Sequence, residues 1–248
     1  MVSDFFAGIG FTTRGFGLIN QPGIRRYVII PLLINIVLFS AGVWYLASEF
    51  QALMESMLPD WLDWARWILW PLFAITISIA VFYTFTVVAN FISAPFNALL
   101  AEKLEMKLTG QPLDGEFNIQ ALMKTVKDAM VSELKKTGYL ILWLIPLLIL
   151  FLIPVVNLLA PFAWAAFGAW MLAIEYADYP MGNHGMIFSD ERRLLAHERG
   201  LAFGFGGSIM VMTLIPVLNF LAMPVGVAGA TAMWVDRLKA TQARLASA

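Results

Sequence analysis

"WILWPLFAITISIAVFYTFTVVANFISAPFNALLA", residues 67–101, runs for 35 residues without one charged side chain. As one continuous helix it would be about 52 Å long and overshoot a hydrocarbon core of ~30 Å. The stretch predicts one long tilted span, bent or ended near Pro95, with its tail leaving the membrane through "EKLEMKL". Pro71 suits the first turn of such a helix, where its missing N–H costs little.

Composition points the same way. The 248 residues are 60% hydrophobic and 13% charged, with a mean hydropathy of +0.76. A soluble domain carries about 25% charged residues, so this much apolar surface cannot be hidden in one water-soluble core. The chain is expected to be an all-α integral membrane protein, a single membrane domain over 1–248. Zero cysteines exclude disulfides, thiolate metal sites and cysteine nucleophiles. A net charge of −1 without a long basic block gives no reason to expect a nucleic-acid partner. "MVSDFFAGIGFTTRGFG" lacks a basic start, a continuous apolar run and a small-residue cleavage site, so it reads as retained sequence rather than a secretory signal.

Working outward, "YVIIPLLINIVLFSAGVWYLA" at 27–47 supplies a second span, placed over 24–47, with Trp44 and Tyr45 at the far boundary. Residues 1–22 are rich in phenylalanine but broken by glycine, which predicts an interfacial N-terminal helix. Residues 48–66 are acidic. In 117–136, Ile119, Leu122, Met123, Val126, Met130 and Leu134 recur with a 3.6-residue period, as in an amphipathic surface helix.

The remainder contains a repeat. "IPVVNLLAP" at 153–161 returns as "IPVLNFLAMP" at 215–224, each mid-way along an uncharged run, 138–174 and 200–234. Removing the Pro–Asn–Pro break leaves arms of roughly 14–17 residues, ~21–25 Å, short for a span. Each run is either a pair of short spans or a re-entrant hairpin. Irregular backbone at a hairpin tip must be buried in protein or reached by water, which favours an oligomeric interior or an aqueous path. Both topologies leave Arg66 alone outside among the 16 Lys and Arg, as the positive-inside rule demands.

Candidate chemistry is sparse. His184 and His197 are the only histidines, and "HERG" at 197–200 lacks the second histidine of a zinc-protease helix. "FGFGG" at 203–207 has no Lys-Ser/Thr to complete a phosphate loop; it and "GVAGATA" at 226–232 suit close helix packing. No catalytic triad, metal site or cofactor signature is present, so an enzyme is not expected. Arg25 and Arg26 directly precede an apolar helix, where a topological anchor or contact with anionic lipid would explain them. An anion site is the alternative. Gly23 admits close backbone approach, a helix start offers unpaired N–H groups, and two guanidinium groups supply planar donors for an oxyanion. Asn35, Asn90, Asn97, Asn157 and Asn219 are polar groups in or near apolar runs. They read as helix–helix or turn hydrogen bonds, or as parts of a polar path; Asn35, Asn157 and Asn219 are the path candidates carried forward.

"LINQPGIRRYVIIPLLIN", "ISAPFNALLAEKLEMKLTG", "AWMLAIEYADYP" with "NH" shortly after, and "LIPVLNFLAMPVGVAGATAMWVD" together resemble the CysZ family of bacterial sulfate transporters. The resemblance runs from about residue 13 to 237. It implies two spanning helices with two half-membrane helical hairpins and homo-oligomeric assembly among membrane lipids. It further implies a sulfate permease of the bacterial inner membrane that feeds cysteine biosynthesis and uses no cofactor. The family's sulfate motif falls on Gly23, Ile24, Arg25 and Arg26. A scaffold or assembly protein, or an anionic-lipid-binding protein without transport activity, is the contrasting expectation.

Overall fold

Helix dominates because the apolar runs carry few breakers and, in hydrocarbon, every backbone polar group must be satisfied within its own segment. The computed structural model describes residues 2–57, 63–111 and 119–247, and no strand occurs among them. The helices are α1 (Val2–Ile19), α2 (Arg25–Met57), α3 (Asp63–Thr109), α4 (Ile119–Leu152), α5 (Ala160–Gly182), α6 (Phe188–His197), α7 (Arg199–Leu214), α8 (Pro216–Met233) and α9 (Lys239–Ala246). Among the described residues, five stretches are long and apolar enough to cross a membrane: Arg25–Ser56, Trp64–Val81, Met130–Leu152, Val156–Gly182 and Pro216–Ala246.

Two compact units form, Met1–Arg25 with Asn97–Ala248, and Arg26–Phe96. In the second unit α2 and the first part of α3 meet through aromatic rings. Phe50 stacks on Phe73 at 3.9 Å, and Trp70 packs edge-on to both. Along α2 the side chains of Ile29, Leu33, Ile36 and Val37 are exposed, as expected where lipid is the solvent.

The larger unit is built on small residues. One face of α1, carrying Gly8, Thr12, Gly15 and Leu18, is buried against α7 and α8. A Cβ on Gly8 would collide with the carbonyl of Leu201, and one on Gly15 with that of Val225. Gly206 touches the backbone of Ala169 on α5 in the same way, and Thr12 shares a 2.6 Å hydrogen bond with Ser208. Close backbone approach of this kind is how helices associate where no hydrophobic force separates them from lipid. The glycines of 203–207 and 226–232 thus pack helices, and α1 is seated in the bundle by its glycine face.

Element boundaries differ from the sequence expectation at two places. Helix α3 does not end near Pro95 but continues through it to Thr109. The amphipathic helix and the first arm of the first apolar run are one helix, α4, containing Pro146. Residues 117–118 of the expected amphipathic helix, the side chains of 119–129, and the side chain of Asn90 lie outside the described residues. The two repeats also break differently. After α4, Val155 takes φ 71° and a 3-10 turn at Val156–Leu159 leads into α5. Between α7 and α8 a single extended residue, Ile215 (φ −99°, ψ 111°), makes the break, because a residue before proline is driven out of the helical region. The arms are unequal, 23 residues in α5 against 16 in α7 and 18 in α8.

Candidate anion site at the start of the second helix

The segment joining α1 to α2 is a tight turn. Pro22 and Gly23 lie within it, and Gly23 adopts φ +84°, a conformation only glycine holds without strain. The Gln21 carbonyl accepts from the N–H groups of Ile24 (3.1 Å) and Arg25 (3.4 Å). Among the described residues, the N–H groups of Gly23 and Arg26 meet no backbone acceptor outside the helix ladder. Two of the four N–H groups over 23–26 are therefore engaged, fewer than the sequence alone suggested would be open. Ile24 is 3% exposed; burying a side chain of this size is worth about 2 kcal/mol. It pins the turn so that the next two side chains emerge at the surface.

Arg25 and Arg26 are both exposed. Arg25 Nε donates to the carbonyl of Asn20 at 2.5 Å. Arg26 donates to the Tyr27 hydroxyl at 3.1 Å and lies 5.0 Å from the Tyr27 ring centroid. Among the described residues, neither guanidinium has a carboxylate within ion-pair distance. A third cation reaches the turn from α3, Lys107, whose Nζ donates to the Pro22 carbonyl at 3.3 Å. Nothing in the local sequence announced Lys107, which lies 85 residues away along the chain. The turn thus gathers spare N–H groups, two arginines without acidic partners among the described residues and an adjacent lysine, donor chemistry that suits an anion.

Behind that end of α3 lies a polar core that the sequence did not reveal. Glu105, 2% exposed, accepts from His184 Nε2 at 2.9 Å and Trp234 Nε1 at 3.3 Å, with Lys239 Nζ at 3.6 Å. Burial alone would raise the Glu105 carboxyl. The hydrogen bond and charge of His184, with Lys239 and Trp234, outweigh it and hold the group below its ordinary value. His184 is thus a structural partner, fixed further by the Trp234 ring at 5.0 Å. Asn183 Nδ2 donates to the Ala98 carbonyl at 3.0 Å, tying the same turn to α3.

A second cluster joins α4 to α5. Lys136 Nζ meets Glu133 at 2.7 Å, Glu175 at 2.9 Å and Asp178 at 3.4 Å. Nearby, Glu191 on α6 is 1% exposed and, among the described residues, one of its carboxyl oxygens has no hydrogen-bond partner. Burial, then the charge of Asp178, pushes its pKa up to about 10, so it is neutral at pH 7.

The asparagines separate. Asn35, 8% exposed, donates to Ser93 Oγ at a long 3.5 Å and keeps its carbonyl oxygen buried without a partner. Asn157 and Asn219 lie exposed at the two breaks. Their backbone N–H groups donate to Ile153 and Ile215 respectively. No hydrogen bond joins Asn157 to Asn219 among the described residues.

Comparison with known proteins gives the lineage. Residues 12–224 match the family described as sulfate transporter CysZ/etoposide-induced protein 2.4. A protein of Pectobacterium atrosepticum named sulfate transporter CysZ is 43% identical over 243 residues, 96% of this chain and 88% of its own. One of the same name from Vibrio parahaemolyticus is 44% identical over 236 residues, covering 94% and 95%. A third, from Salmonella typhimurium, is 43% identical over 241 residues, covering 96% and 95%. The four motifs quoted from the sequence hold the arginine turn, Glu105, His184 and Trp234, and the chain belongs to the sulfate transporter CysZ/etoposide-induced protein 2.4 family.

Proposed function

We propose that this protein transports sulfate across the bacterial inner membrane, as a channel-like permease whose product feeds cysteine biosynthesis, and that residues 23–26 receive the ion. The observation that carries the site is a pair of exposed arginines at a glycine turn, without a carboxylate partner among the described residues, opening an apolar helix. Curated relatives that align along nearly the whole chain bear the name sulfate transporter.

The chemistry follows from the charge of the ion. A sulfate dianion loses a large hydration energy on leaving water, so its first contacts must replace many hydrogen bonds at once. Arg25 and Arg26 can each offer two parallel N–H donors to a pair of sulfate oxygens. The N–H groups of Gly23 and Arg26 add donors at the positive end of the α2 dipole. Lys107 contributes a mobile charge that needs only to leave the Pro22 carbonyl. Existing contacts of the arginines, to Asn20 and Tyr27, are exchanged rather than broken, which keeps binding weak enough for release.

Beyond the turn, Asn35 is a half-satisfied buried amide in α2 and suits a polar path; Asn157 and Asn219 are assigned to re-entrant tips. The whole chain acts as a single membrane domain, with α2 and α3 as full spans and the 138–174 and 200–234 runs as half-membrane hairpins. Tips of that kind need protein or water around them, which supports a homo-oligomer in the lipid bilayer. Labelled sulfate uptake into proteoliposomes tests the function: a scaffold or a pure lipid binder would move none.

A further inference from the structure

Away from the arginine turn, α4, α5, α6 and α7 enclose a partly open cavity of about 710 Å³. Its lining changes character along its length. One end holds Arg192 and Arg193 of α6 and Arg199 at the start of α7; the other is Trp143 and Leu147 on α4 facing Phe167 and Trp170 on α5. Trp143 stacks on Phe167 with centroids 6.0 Å apart. From Tyr139, where the Arg192 guanidinium sits 5.0 Å from the ring, to Leu147 is eight residues of helix, about 12 Å.

The charge at the mouth is uncompensated. Among the described residues, no carboxylate lies within 4 Å of Arg192, Arg193 or Arg199. Glu198, the acid next to Arg199 in the chain, is turned toward Arg237 at 3.6 Å and Thr241 at 2.8 Å. Arg199 Nε is held by the carbonyl of Ala196 at 3.1 Å, which leaves its terminal nitrogens for another group. Three cations are thus presented together at the end of an aromatic slot.

We infer that this cavity binds an anionic phospholipid, with its phosphate on Arg192, Arg193 and Arg199 and the first part of an acyl chain between Trp143, Leu147, Phe167 and Trp170. Charge complementarity selects the anionic headgroup. The apolar wall selects a lipid over a free oxyanion, which would fill only the mouth and leave the aromatic slot empty. Volumes of this size accommodate a drug-sized ligand or a headgroup with part of a chain. The inference stands apart from the sulfate site, since it uses none of residues 23–26.

The test is native mass spectrometry of the purified, detergent-solubilised protein incubated with equal amounts of phosphatidylglycerol and phosphatidylcholine. The wild type should retain phosphatidylglycerol preferentially. Each arginine near a headgroup contributes about fivefold in affinity, so R192Q/R193Q/R199Q should lose on the order of 100-fold. Ala166→Phe, which keeps every charge but fills the slot, should lower retention of both lipids. An unchanged preference in a folded triple variant would overturn the inference. Should the triple variant fail to elute as a single species, Ala166→Phe decides: undiminished retention refutes the assignment, and lost retention supports it. Binding of inorganic sulfate by the three arginines with no discrimination between the two lipids would also refute it.

Discussion

In the proposed site Arg25 and Arg26 answer two demands at one place, since a cation expected at the inner end of a spanning helix is also where an anion would have to shed water. Both were legible because everything they need is local: a glycine, a helix start and an apolar run within a few residues. Lys107 was not, because only the fold carries it to the Pro22 carbonyl. Lys107→Ala should weaken sulfate binding about fivefold by isothermal titration, the size of one exposed charge contact, without loss of the folded protein. Glu105 and Glu191 show how opposite environments divide two buried acids. The folded Glu105 carboxyl is held low, so its contribution is present above its unfolded value and lost as pH falls through the folded one. Glu191 is pushed up to about 10, so the folded state holds a proton that the unfolded state releases. Stability from this group therefore declines as pH rises from about 4.3 toward 10. Glu191→Gln removes that titration, and thermal unfolding should show a higher Tm than wild type at pH 8–9 and little difference near pH 4. An equal Tm difference across that range would contradict the assignment.

Helix breaks were readable where proline and an extended neighbour act together, as at Ile215–Pro216. At Pro95, where a bend or an end was expected, the helix does not end but takes the proline into its interior; the change from amphipathic to apolar within α4, which nothing interrupts, was misread as a boundary. The first helix carried its own signal in Gly8, Thr12 and Gly15, a small-residue stripe at helical spacing that packs against α7 and α8. Glu105, His184 and Trp234 could not be joined from sequence, since 79 and 129 residues separate the partners; each nevertheless lies in a motif that carried the family resemblance. Close approach at Gly206 makes a firm demand on the α5–α7 pair. Gly206→Leu should push Ala169 away and cost about 1–3 kcal/mol, read as a lower Tm and reduced monodisperse yield. The two tips can be separated by labelling. With Asn157→Cys and Asn219→Cys in this cysteine-free chain, an impermeant maleimide applied from the outer face should leave both unlabelled if the runs are re-entrant; full spans would expose them.

For the molecule as a whole, composition alone placed the chain in a bilayer, and five apolar stretches among the described residues, each long enough to cross one, bear that out. Composition could not choose between a transporter and a scaffold, because both need the same apolar helices and the same cation bias. The choice rests on a cluster of donors with no acid to neutralise it among the described residues, joined to relatives that carry a transporter's name. Assembly into an oligomer should appear in cross-linked membranes as multiples of the 27.6 kDa chain. Transport itself is tested by uptake of radiolabelled sulfate into proteoliposomes holding either the wild-type protein or Arg25→Ala/Arg26→Ala, both checked for insertion. The wild type should fill the vesicles with sulfate and the double variant should match empty liposomes, with Lys replacements between. Sulfate uptake by the inserted double variant at the wild-type rate would contradict the placement of the ion at residues 23–26.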